Sequence, residues 1–482
     1  MADFTPHTEA QVAAMLESCG LGSVDDLFAA VPAAIRLAAG QLDLPIGLSE
    51  PDTLGVMEDL AARNRVGRKL ICFAGGGAYD HDVASVVRRV GSRAEFVTAY
   101  TPYQPEVAQG VLQALFEYQT LVSRLAGLPV ANASLYDGAT AVVEAVNLAV
   151  ASTGCSTVQV SEGVNPRFRD VLATLAAGTG HVITPVGLGT DGRTSWAGSR
   201  ALAGARSGVG APTGARPEAG AGARVGAVAE AGAGARAGAV VVQYPNYLGV
   251  IEDLASARAA ADAHGALLVV VMDPVAVGLL RSPGEHGADV VVGEGQPFGT
   301  PLSFGGPYLG LFACRQEHVR RLPGRLVGET VDARGTTAYV TTLRTREQDI
   351  RRERASSNVC TNQTLIAVCC AIQLSWLGPS GLHELALRCA RGTRYTRDAV
   401  LGLEGVRALV SGPVLREFAV HLPVPAAVVV DRMCEEGYLA GVPVAVEDMS
   451  GADGHGLLIA VTERRTRAEI DGLVAALAKA LR

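Results

Sequence analysis

A glutamine, Gln296, stands where a lysine could carry out covalent chemistry. It follows a short apolar strand, predicted at Asp289–Gly293, and precedes a loop rich in glycine and proline. Asp273 ends an earlier predicted strand, 23 residues upstream. A lysine amine at such a position forms a Schiff base with a carbonyl compound, whereas a glutamine amide cannot form an imine. The chain has only two lysines, Lys69 and Lys479, and neither follows a strand of this kind.

This layout resembles the cofactor-anchoring region of pyridoxal-phosphate enzymes, in which an aspartate pairs with the pyridine nitrogen and a later lysine forms the Schiff base. The stretch Tyr136-Asp137-Gly138-Ala139-Thr140 lies between a predicted strand and a predicted helix, where free helix amides would take the cofactor's phosphate. Asp137 is a favourable N-cap there, but its carboxylate repels a phosphate. We interpret Asp137, Gly138 and Thr140 as a degenerate phosphate loop in which Asp137 caps the helix. The alternative is a contact of Asp137 across a subunit interface.

The elements that would position these residues alternate between strands and helices. Seven short β-rich runs are separated mostly by helical stretches, such as Pro105–Leu125 and Thr140–Ala151. Seven strands with helical crossovers predict an α/β fold with a largely parallel sheet that is covered on both faces. The predicted strands are Val130–Ser134, Thr157–Ser161, His181–Val186, Ala239–Gln243, Leu267–Met272, Asp289–Gly293 and Tyr308–Cys314.

We predict three domains. Residues 1–65 form a helical N-terminal arm, residues 66–330 a large α/β domain, and residues 331–482 a smaller C-terminal α/β domain. The segment at about 199–238 is almost entirely Ala, Gly, Arg, Val and Pro. Because it has little apolar bulk to offset its ordering entropy, we interpret it as a surface-loop insert, the alternative being a segment that binds a partner or regulates the protein.

Local signals mark the helices at both ends of the chain. A capping box at Thr8 and a similar helix start at Ser23 predict the helices of the arm. A long helix is predicted at Gln363–Leu377. A βαβ-type unit follows it, and its last helix, Arg467–Leu481, is predicted to be capped at Thr466.

Composition excludes several classes of protein. Hydrophobic residues make up 49% of the chain, charged residues 18%, and the net charge is −7, which argues against nucleic-acid or anionic-membrane partners. No membrane span is predicted, because the most apolar runs have strand lengths. The nine cysteines lack a C-x-x-C pair, so we expect neither zinc nor disulfides, and we expect a reduced cytoplasm. The start of the chain has no secretory signal pattern. We read His81, between Asp80 and Asp82, as surface or interface polarity rather than a metal site.

Motifs spread over nearly the whole chain carry a family resemblance. The motifs are Pro6–Glu9, Leu44–Glu50, Phe73–His81, Val97–Gln104, Asn132–Thr140, Gln243–Gly249, Gly293–Pro297, Thr345–Glu353 and Thr361–Gln363. In these motifs the chain resembles the alpha (first) subunit of the glycine cleavage system P-protein. Two features depart from the family pattern: the Ala/Gly/Arg-rich insert, and Gln348-Asp349 where the family-like sequence is Gln-His.

The resemblance implies a fold and a division of labour. In that family the enzyme is one fused chain or two related subunits, both halves resemble fold-type-I pyridoxal-phosphate enzymes, and the second half carries the cofactor lysine. Gln296 lines up with that lysine, so this chain is implied to hold no covalently bound cofactor, with pyridoxal phosphate on subunit 2. The implied activity is that of glycine dehydrogenase (decarboxylating), which transfers an aminomethyl group from glycine to the lipoyl arm of H-protein. The family suggests a heterotetramer of two plus two subunits.

The resemblance also implies candidates for an active-site mouth shared with subunit 2. Tyr100 and Tyr103 flank Pro102 in a stiff turn, next to Gln104, and phenols there suit a channel wall or an interface anchor. Ordinary packing is the alternative. Arg346 lies in an arginine-rich run that forms either a helix laced with salt bridges or a positive rim for H-protein or the glycine carboxylate.

Two other functions are weighed against this one. The first is a structural or regulatory paralogue that has lost the pathway, which the insert makes plausible. The second is a free-standing pyridoxal-phosphate decarboxylase or aminotransferase, and the missing lysine counts strongly against it.

The insert gives a first prediction. Replacing residues 199–238 with a short Gly/Ser linker should shift the melting temperature little and leave glycine–bicarbonate exchange near wild type, because the segment lacks a core-forming pattern. Differential scanning fluorimetry and the exchange assay measure both effects. A collapse of solubility or of exchange would assign the segment a structural or functional role.

Overall fold

The structure is a computed structural model, and it divides into two compact units, Met1–Arg65 and Val66–Arg482. The predicted insert at about 199–238 lies almost wholly outside the described residues. The described residues are 6–37, 44–64, 70–196, 236–444 and 454–482.

The first unit is helical, as the sequence predicts. Each helix begins at a hydroxyl side chain that accepts a hydrogen bond from an amide of the first turn, and the predicted capping box at Thr8 is confirmed. None of the helical residues is buried, so local capping rather than core packing accounts for these helices. They are α1 (Glu9–Ser18), a 3₁₀-helix (Val24–Phe28) and α2 (Glu50–Ala62).

The second unit alternates between strands and helices. Its α-helices are α3 (Ser85–Gly91), α4 (Ala94–Val97), α5 (Gln109–Ala126), α6 (Gly138–Thr153), α7 (Pro166–Thr179), α8 (Leu254–His264), α9 (Gln348–Arg351), α10 (Thr364–Leu401), α11 (Ala426–Glu435) and α12 (Arg467–Ala480). Its strands are β1 (Ile71–Cys72), β2 (Val130–Ala131), β3 (Thr157–Ser161), β4 (Val182–Val186), β5 (Ala239–Tyr244), β6 (Leu267–Met272), β7 (Val290–Glu294), β8 (Gly310–Cys314), β9 (Val327–Val331), β10 (Thr337–Thr341), β11 (Arg407–Ala408), β12 (Glu417–His421), β13 (Tyr438–Leu439), β14 (Val442–Val444) and β15 (Gly456–Ala460).

A seven-stranded sheet forms the centre of this unit, in the order β2-β8-β7-β6-β5-β3-β4. The run from β7 to β4 is parallel, whereas β8 and β2 pair antiparallel at one edge. These strands are the seven that the sequence predicts, with ends that differ by a few residues. The predicted α/β fold with a mostly parallel sheet is therefore confirmed.

Both faces of this sheet are covered, which explains why its central strands are apolar at nearly every position. Val240 and Val242 of β5 belong to a core cluster that contains buried residues of α5, α8 and α10. Ala239 and Val241 of the same strand belong to the cluster on the other face, which contains the buried side of α6. The sheet thus fixes the carboxyl ends of β6 and β7, where Asp273 and the candidate site lie.

The C-terminal part has a four-stranded sheet of its own, in the order β11-β12-β15-β14. All of its strand pairs are antiparallel, so the predicted βαβ-type unit is wrong in strand direction. The reason is that β14 comes between α11 and β15, and the chain turns back before the last strand. Strand β1 pairs in parallel with β13, and Phe73 joins the core of this sheet. The domain boundaries drawn from the sequence stay predictions.

Helix α10 is longer than predicted, because a second helical segment continues beyond Leu377. Gly378, with φ 61° and ψ −178°, breaks the helical geometry, and Pro379 follows it. Among the described residues, α10 is the one helix long and apolar enough to cross a membrane by length and composition. Its halves contribute Cys370 and Cys389 to the large core cluster, as a core helix does.

A close backbone approach gives a second prediction. Gly249 has φ +82°, and a Cβ there would lie 1.9 Å from the carbonyl oxygen of Glu417 in the small sheet. Gly265 has a similar φ of +62° with open space around it. Gly265→Ala should therefore lower the free energy of unfolding by about 1 kcal/mol, through its positive φ alone. Gly249→Ala should lower it by at least about 2 kcal/mol more, because the new Cβ clashes with backbone that cannot move aside without strain. Urea unfolding of both variants measures the difference, and equal losses would contradict the contact.

Candidate functional site

Gln296 lies directly after β7 and is fully buried. Its side-chain Nε2 donates to the carbonyl oxygens of Tyr79 (3.0 Å) and Thr300 (2.9 Å), and its Oε1 accepts from the backbone N–H of Tyr79 (3.0 Å). Both ends of the amide are therefore engaged with backbone. Gln296 acts as a cross-link between the loop that contains Tyr79 and the turn after β7.

A buried carboxylate from the end of β7 lies against the first turn of α6. Glu294 accepts hydrogen bonds from the backbone N–H groups of Gly138 (2.9 Å), Gln296 (2.9 Å) and Leu309 (3.0 Å). Burial raises the pKa of Glu294 to about 7, although the three N–H groups oppose the shift. The first free amide of α6 thus faces a side chain of the chain itself, where the resemblance implied a phosphate group.

Asp137 caps the same helix. Its Oδ1 accepts from the backbone N–H of Thr140 at 2.7 Å, and the Thr140 hydroxyl oxygen accepts from the backbone N–H of Asp137 at 3.2 Å. The structure therefore brings Asp137, Gly138 and Thr140 together as expected, and it adds Glu294 to them. The signal for Glu294 was present in the sequence, as an acidic residue at the end of an otherwise apolar strand.

Asp273, at the end of β6, is also engaged. Its Oδ2 forms an ion pair with the guanidinium of Arg416, a residue just before β12 in the small sheet. The guanidinium carbon of Arg416 lies 3.6 Å from the centroid of the Tyr79 ring, and Nη1 donates to Nε2 of His81 at 2.7 Å. Sequence reasoning missed Arg416, because one arginine at a strand start carries no signal of its own.

These contacts test whether the residues present fit pyridoxal phosphate. A fold-type-I site needs a lysine amine, a free helix amide for the phosphate, and a free aspartate for the pyridine nitrogen. Here Gln296 occupies the position of the lysine, Glu294 accepts the hydrogen bond of the Gly138 amide, and Arg416 forms an ion pair with Asp273. The residues of this chain do not fit the cofactor.

A second cluster of chemically active groups lies beside Arg416. His81, Cys389 and Glu463 place candidate ligand atoms within 4.8 Å of one another. Because an arginine can only donate, Nε2 of His81 accepts from Arg416, and Nδ1–H donates to Glu463 at 2.6 Å. Both imidazole nitrogens of His81 thus have hydrogen-bond partners. The expectation that His81 lies at the surface is wrong, because it is buried. The expectation that it binds no metal stays a prediction.

The two tyrosines of the turn have different surroundings. Tyr100 is 96% exposed, and Gln104 is exposed as well. Tyr103 is half-buried, and its hydroxyl contacts Asn362 Oδ1 (2.5 Å) and Thr361 Oγ1 (2.8 Å) at the start of α10. Tyr100 therefore presents its phenol to the outside, whereas Tyr103 ties the turn to the body of the protein.

Arg346 lies behind this surface, not on it. It is buried, and its Nη1 donates to the carbonyl oxygens of Leu322 and Gly324. Burial, together with the neighbouring Arg325, lowers the pKa of Arg346 to about 10. Arg325 in turn lies over the ring of Tyr103, with 4.8 Å between its guanidinium carbon and the ring centroid.

The arginine-rich run does not form the single helix that one interpretation of the sequence required. It consists of three short helical turns, Arg344–Arg346, Gln348–Arg351 and Arg352–Arg354. Leu343 and Arg352 have positive φ values of 54° and 53°, so the backbone changes direction between the turns.

Comparisons of this chain with known proteins point to one family. The model of the glycine cleavage system P-protein family matches residues 2–477. A probable glycine dehydrogenase (decarboxylating) subunit 1 from Prosthecochloris aestuarii is 42% identical over 471 residues, which cover 98% of each chain. The crystal structure of a glycine decarboxylase (P-protein) of the glycine cleavage system has 41% identity and a TM-score of 0.85, and covers 99% of this chain and 100% of its own. Sphingosine-1-phosphate lyase from Burkholderia pseudomallei shares the fold alone, with 15% identity, a TM-score of 0.56 and coverage of 93% and 94%.

The buried carboxylate gives a third prediction. Because the pKa of Glu294 is raised from its ordinary value of 4.5 to about 7, the folded state binds the proton more tightly than the unfolded state between these values. The contribution of Glu294 to the free energy of unfolding is fully present below pH 4.5 and is lost as the pH rises through 7. The loss amounts to up to about 3 kcal/mol. Urea unfolding at pH 5 and pH 8 should show a smaller loss in Glu294→Gln than in wild type.

The exposed Glu117 provides the control for this measurement. Glu117→Gln should retain the wild-type pH dependence. Equal pH dependence in wild type and Glu294→Gln would contradict the raised pKa of Glu294.

Gln296 gives a fourth prediction. Gln296→Lys mixed with pyridoxal phosphate should give no visible imine band that borohydride fixes to the protein. The reason is that Glu294 still occupies the amide of Gly138, which a phosphate would need, and Arg416 still occupies Asp273, which a pyridine nitrogen would need. The variant should also lose at least about 2 kcal/mol of unfolding free energy, since it replaces the hydrogen bonds of a buried amide with a buried amine. Gln296→Ala is the control for the lost amide. Turnover of glycine by the single Gln296→Lys chain would refute the interpretation of a site altered at several positions.

Proposed function

The chain belongs to the glycine cleavage system P-protein family, as a subunit-1 form of decarboxylating glycine dehydrogenase, and from this premise we propose that its partner, subunit 2, holds the pyridoxal phosphate. The observation that carries the proposal is the closed environment of Gln296, whose amide is satisfied at both ends by backbone. A chain that enters the enzyme without a cofactor site needs a partner that has one.

The proposed reaction uses glycine and the lipoyl arm of H-protein. Glycine loses carbon dioxide, and the pyridoxal phosphate of the partner supplies the delocalisation that this step needs. The aminomethyl carbon then bonds to one sulfur of the lipoyl disulfide, the S–S bond breaks, and the other sulfur becomes a thiol. The disulfide is thereby reduced as the glycine carbon is oxidised.

In this proposal the chain contributes a wall of the shared active-site mouth. Tyr100 and Gln104 are exposed on one turn and supply polar groups that can face a partner. Tyr103 holds the turn through Asn362, and Arg346 holds the backbone at Leu322 and Gly324, next to Arg325, which lies over the Tyr103 ring. Val97 and Val107, close to Tyr100 and Gln104 in the sequence, are exposed apolar residues, and they favour this stretch as an interface.

The proposed setting is the cytoplasm, with two copies of each subunit in a heterotetramer. The curated relatives are bacterial proteins whose names specify a first subunit, which implies a second. The free-standing decarboxylase is not favoured, because the residues of this chain do not fit the cofactor.

Reconstitution tests the proposal. Purified chain, subunit 2 with pyridoxal phosphate, and lipoylated H-protein should together exchange bicarbonate carbon with the carboxyl group of glycine. Omitting any one component should remove the exchange, and the isolated chain should show no bound cofactor by absorbance. Exchange by subunit 2 and H-protein without this chain would contradict an obligatory role, and exchange by this chain without subunit 2 would contradict the placement of the cofactor.

The two tyrosines give a fifth prediction. Tyr100→Phe should leave assembly intact and lower turnover roughly tenfold, the equivalent of one lost transition-state hydrogen bond of about 1.4 kcal/mol. Tyr103→Phe should lower both turnover and the melting temperature, because it also releases the turn from Asn362. Size-exclusion chromatography and exchange rates measure both effects.

Tyr395 is the matched control for these variants, since its hydroxyl donates to Asp471, on α12. Tyr395→Phe should keep wild-type exchange. Wild-type turnover in the assembled Tyr100→Phe and Tyr103→Phe enzymes would rule out a catalytic-mouth role for both hydroxyls.

A further inference from the structure

A buried cation joins the seven-stranded (large) sheet and the four-stranded (small) sheet of the second unit. Arg416 lies just before β12 of the small sheet and is 3% exposed, and it reaches Asp273 at the carboxyl end of β6 in the large sheet. Asp273 Oδ1 is held by the backbone N–H of Val275 at 3.0 Å, so Oδ2 is directed at the guanidinium. The pair is therefore a direct connection between the two sheets.

The surroundings of Arg416 are those that a flat, protonated ring would require. One face of the guanidinium lies over Tyr79 at 3.6 Å, and its edge donates to the Asp273 carboxylate. A planar cation recognised by an aromatic face and an acidic edge is the recognition that a pyridinium ring would meet at this aspartate. The guanidinium matches such a ring in charge, flatness and N–H donation.

The charges nearby make the cation necessary. Glu417, the next residue, is fully enclosed and accepts from the Tyr79 hydroxyl and from the backbone N–H of Gly76 at 3.0 Å. Burial raises the pKa of Glu417, and Arg416 opposes the shift. Asp273, whose side chain is 12% exposed, forms the ion pair with Arg416, and the buried Glu417 lies in the field of the same guanidinium. Removal of the cation would leave Asp273 without its ion pair and Glu417 without the charge that opposes the rise of its pKa.

The loop between β1 and α3 is clamped by the same groups. A Cβ at Gly75 would lie 2.5 Å from Ala460 Cβ and 2.5 Å from Glu417 Oε2, so the loop has no room to move toward the small sheet. Its other side is held by Gln296 through Tyr79. The loop therefore lies between a fixed amide and a fixed ion pair.

We propose that Arg416 is an internal substitute for the pyridinium of a cofactor, and that this cation, held by Asp273 and Tyr79, locks the small sheet to the large sheet. Arg416 is a positioning residue in this proposal, because it acts through its contacts with Tyr79 and Asp273. The proposal rests on the proposed function only in that this chain holds no cofactor of its own. Its tests measure the stability of the full-length chain alone, so they can fail while the exchange reaction succeeds, and the reverse.

The first test is a pairwise one. Arg416→Met keeps much of the side-chain volume without the charge and should lower the melting temperature by roughly 5 °C or more. Asp273→Asn combined with Arg416→Met should recover at least half of this loss, because the unpaired carboxylate is gone. Arg416→Lys should not restore wild-type stability, since an ammonium is neither flat nor forked. Arg388→Ala, at an exposed ion pair with Glu384, is the control and should be nearly silent.

The second test supplies the missing cation from solution. Arg416→Ala should be stabilised by roughly 2–4 °C in about 20 mM guanidinium chloride, far below denaturing concentrations, by mass action on the new cavity. Equal concentrations of potassium chloride and of neutral, flat urea should have no such effect. Wild type should not be stabilised by any of the three.

Each outcome decides for or against the lock. Loss of stability in Arg416→Met, recovery in the double variant and selective rescue by guanidinium would support it. A wild-type melting temperature in Arg416→Met, no recovery in the double variant, or equal responses to guanidinium and urea would overturn it. If Arg416→Ala fails to fold, soluble expression of Asp273→Asn with Arg416→Ala supports the lock, and continued failure of that double variant overturns it.

Discussion

A buried carboxylate must find a cation or several N–H donors within the chain, and this requirement organises the region between the two sheets. Glu294 meets it with three backbone N–H groups, and Asp273 meets it with Arg416. Glu417 meets it with the Tyr79 hydroxyl and the backbone N–H of Gly76, and the charge of Arg416 opposes the rise of its pKa. Charge satisfaction, as much as apolar packing, therefore decides how the loop after β1, the end of the large sheet and the small sheet fit together.

The same requirement bears on the proposed role of this chain as a wall of a shared active-site mouth. A lobe that depends on a bound cofactor to neutralise its buried groups changes when the cofactor leaves. Here Gln296, Glu294 and Asp273 each find partners within the chain itself. Arg325, stacked on Tyr103, is likewise paired within the chain, with Glu347.

Sequence reasoning predicted the large sheet well and the local contacts less well, for a physical reason. The strands β3 and β6 were predicted with their observed bounds, because β6 is a short continuous apolar run and β3 alternates valines with polar residues. The N-cap at Asp137 could be predicted from Asp137 and the residues next to it in the sequence. Arg416 lies 143 positions from Asp273, and no local pattern encodes a partner at that distance. The antiparallel small sheet escaped prediction for a similar reason, since strand direction depends on an intervening strand, β14.

The amide of Gln296 has a consequence for how such a chain can evolve. Its orientation is fixed by two acceptors and one donor of the backbone, so the residue has become part of the fold. A lysine at this position would meet a carboxylate at the start of α6 and an arginine at Asp273. Under the proposed function, a cofactor site in this chain would therefore require changes at Gln296, Glu294 and Arg416 together. No single substitution would free the chain from its need for the partner subunit.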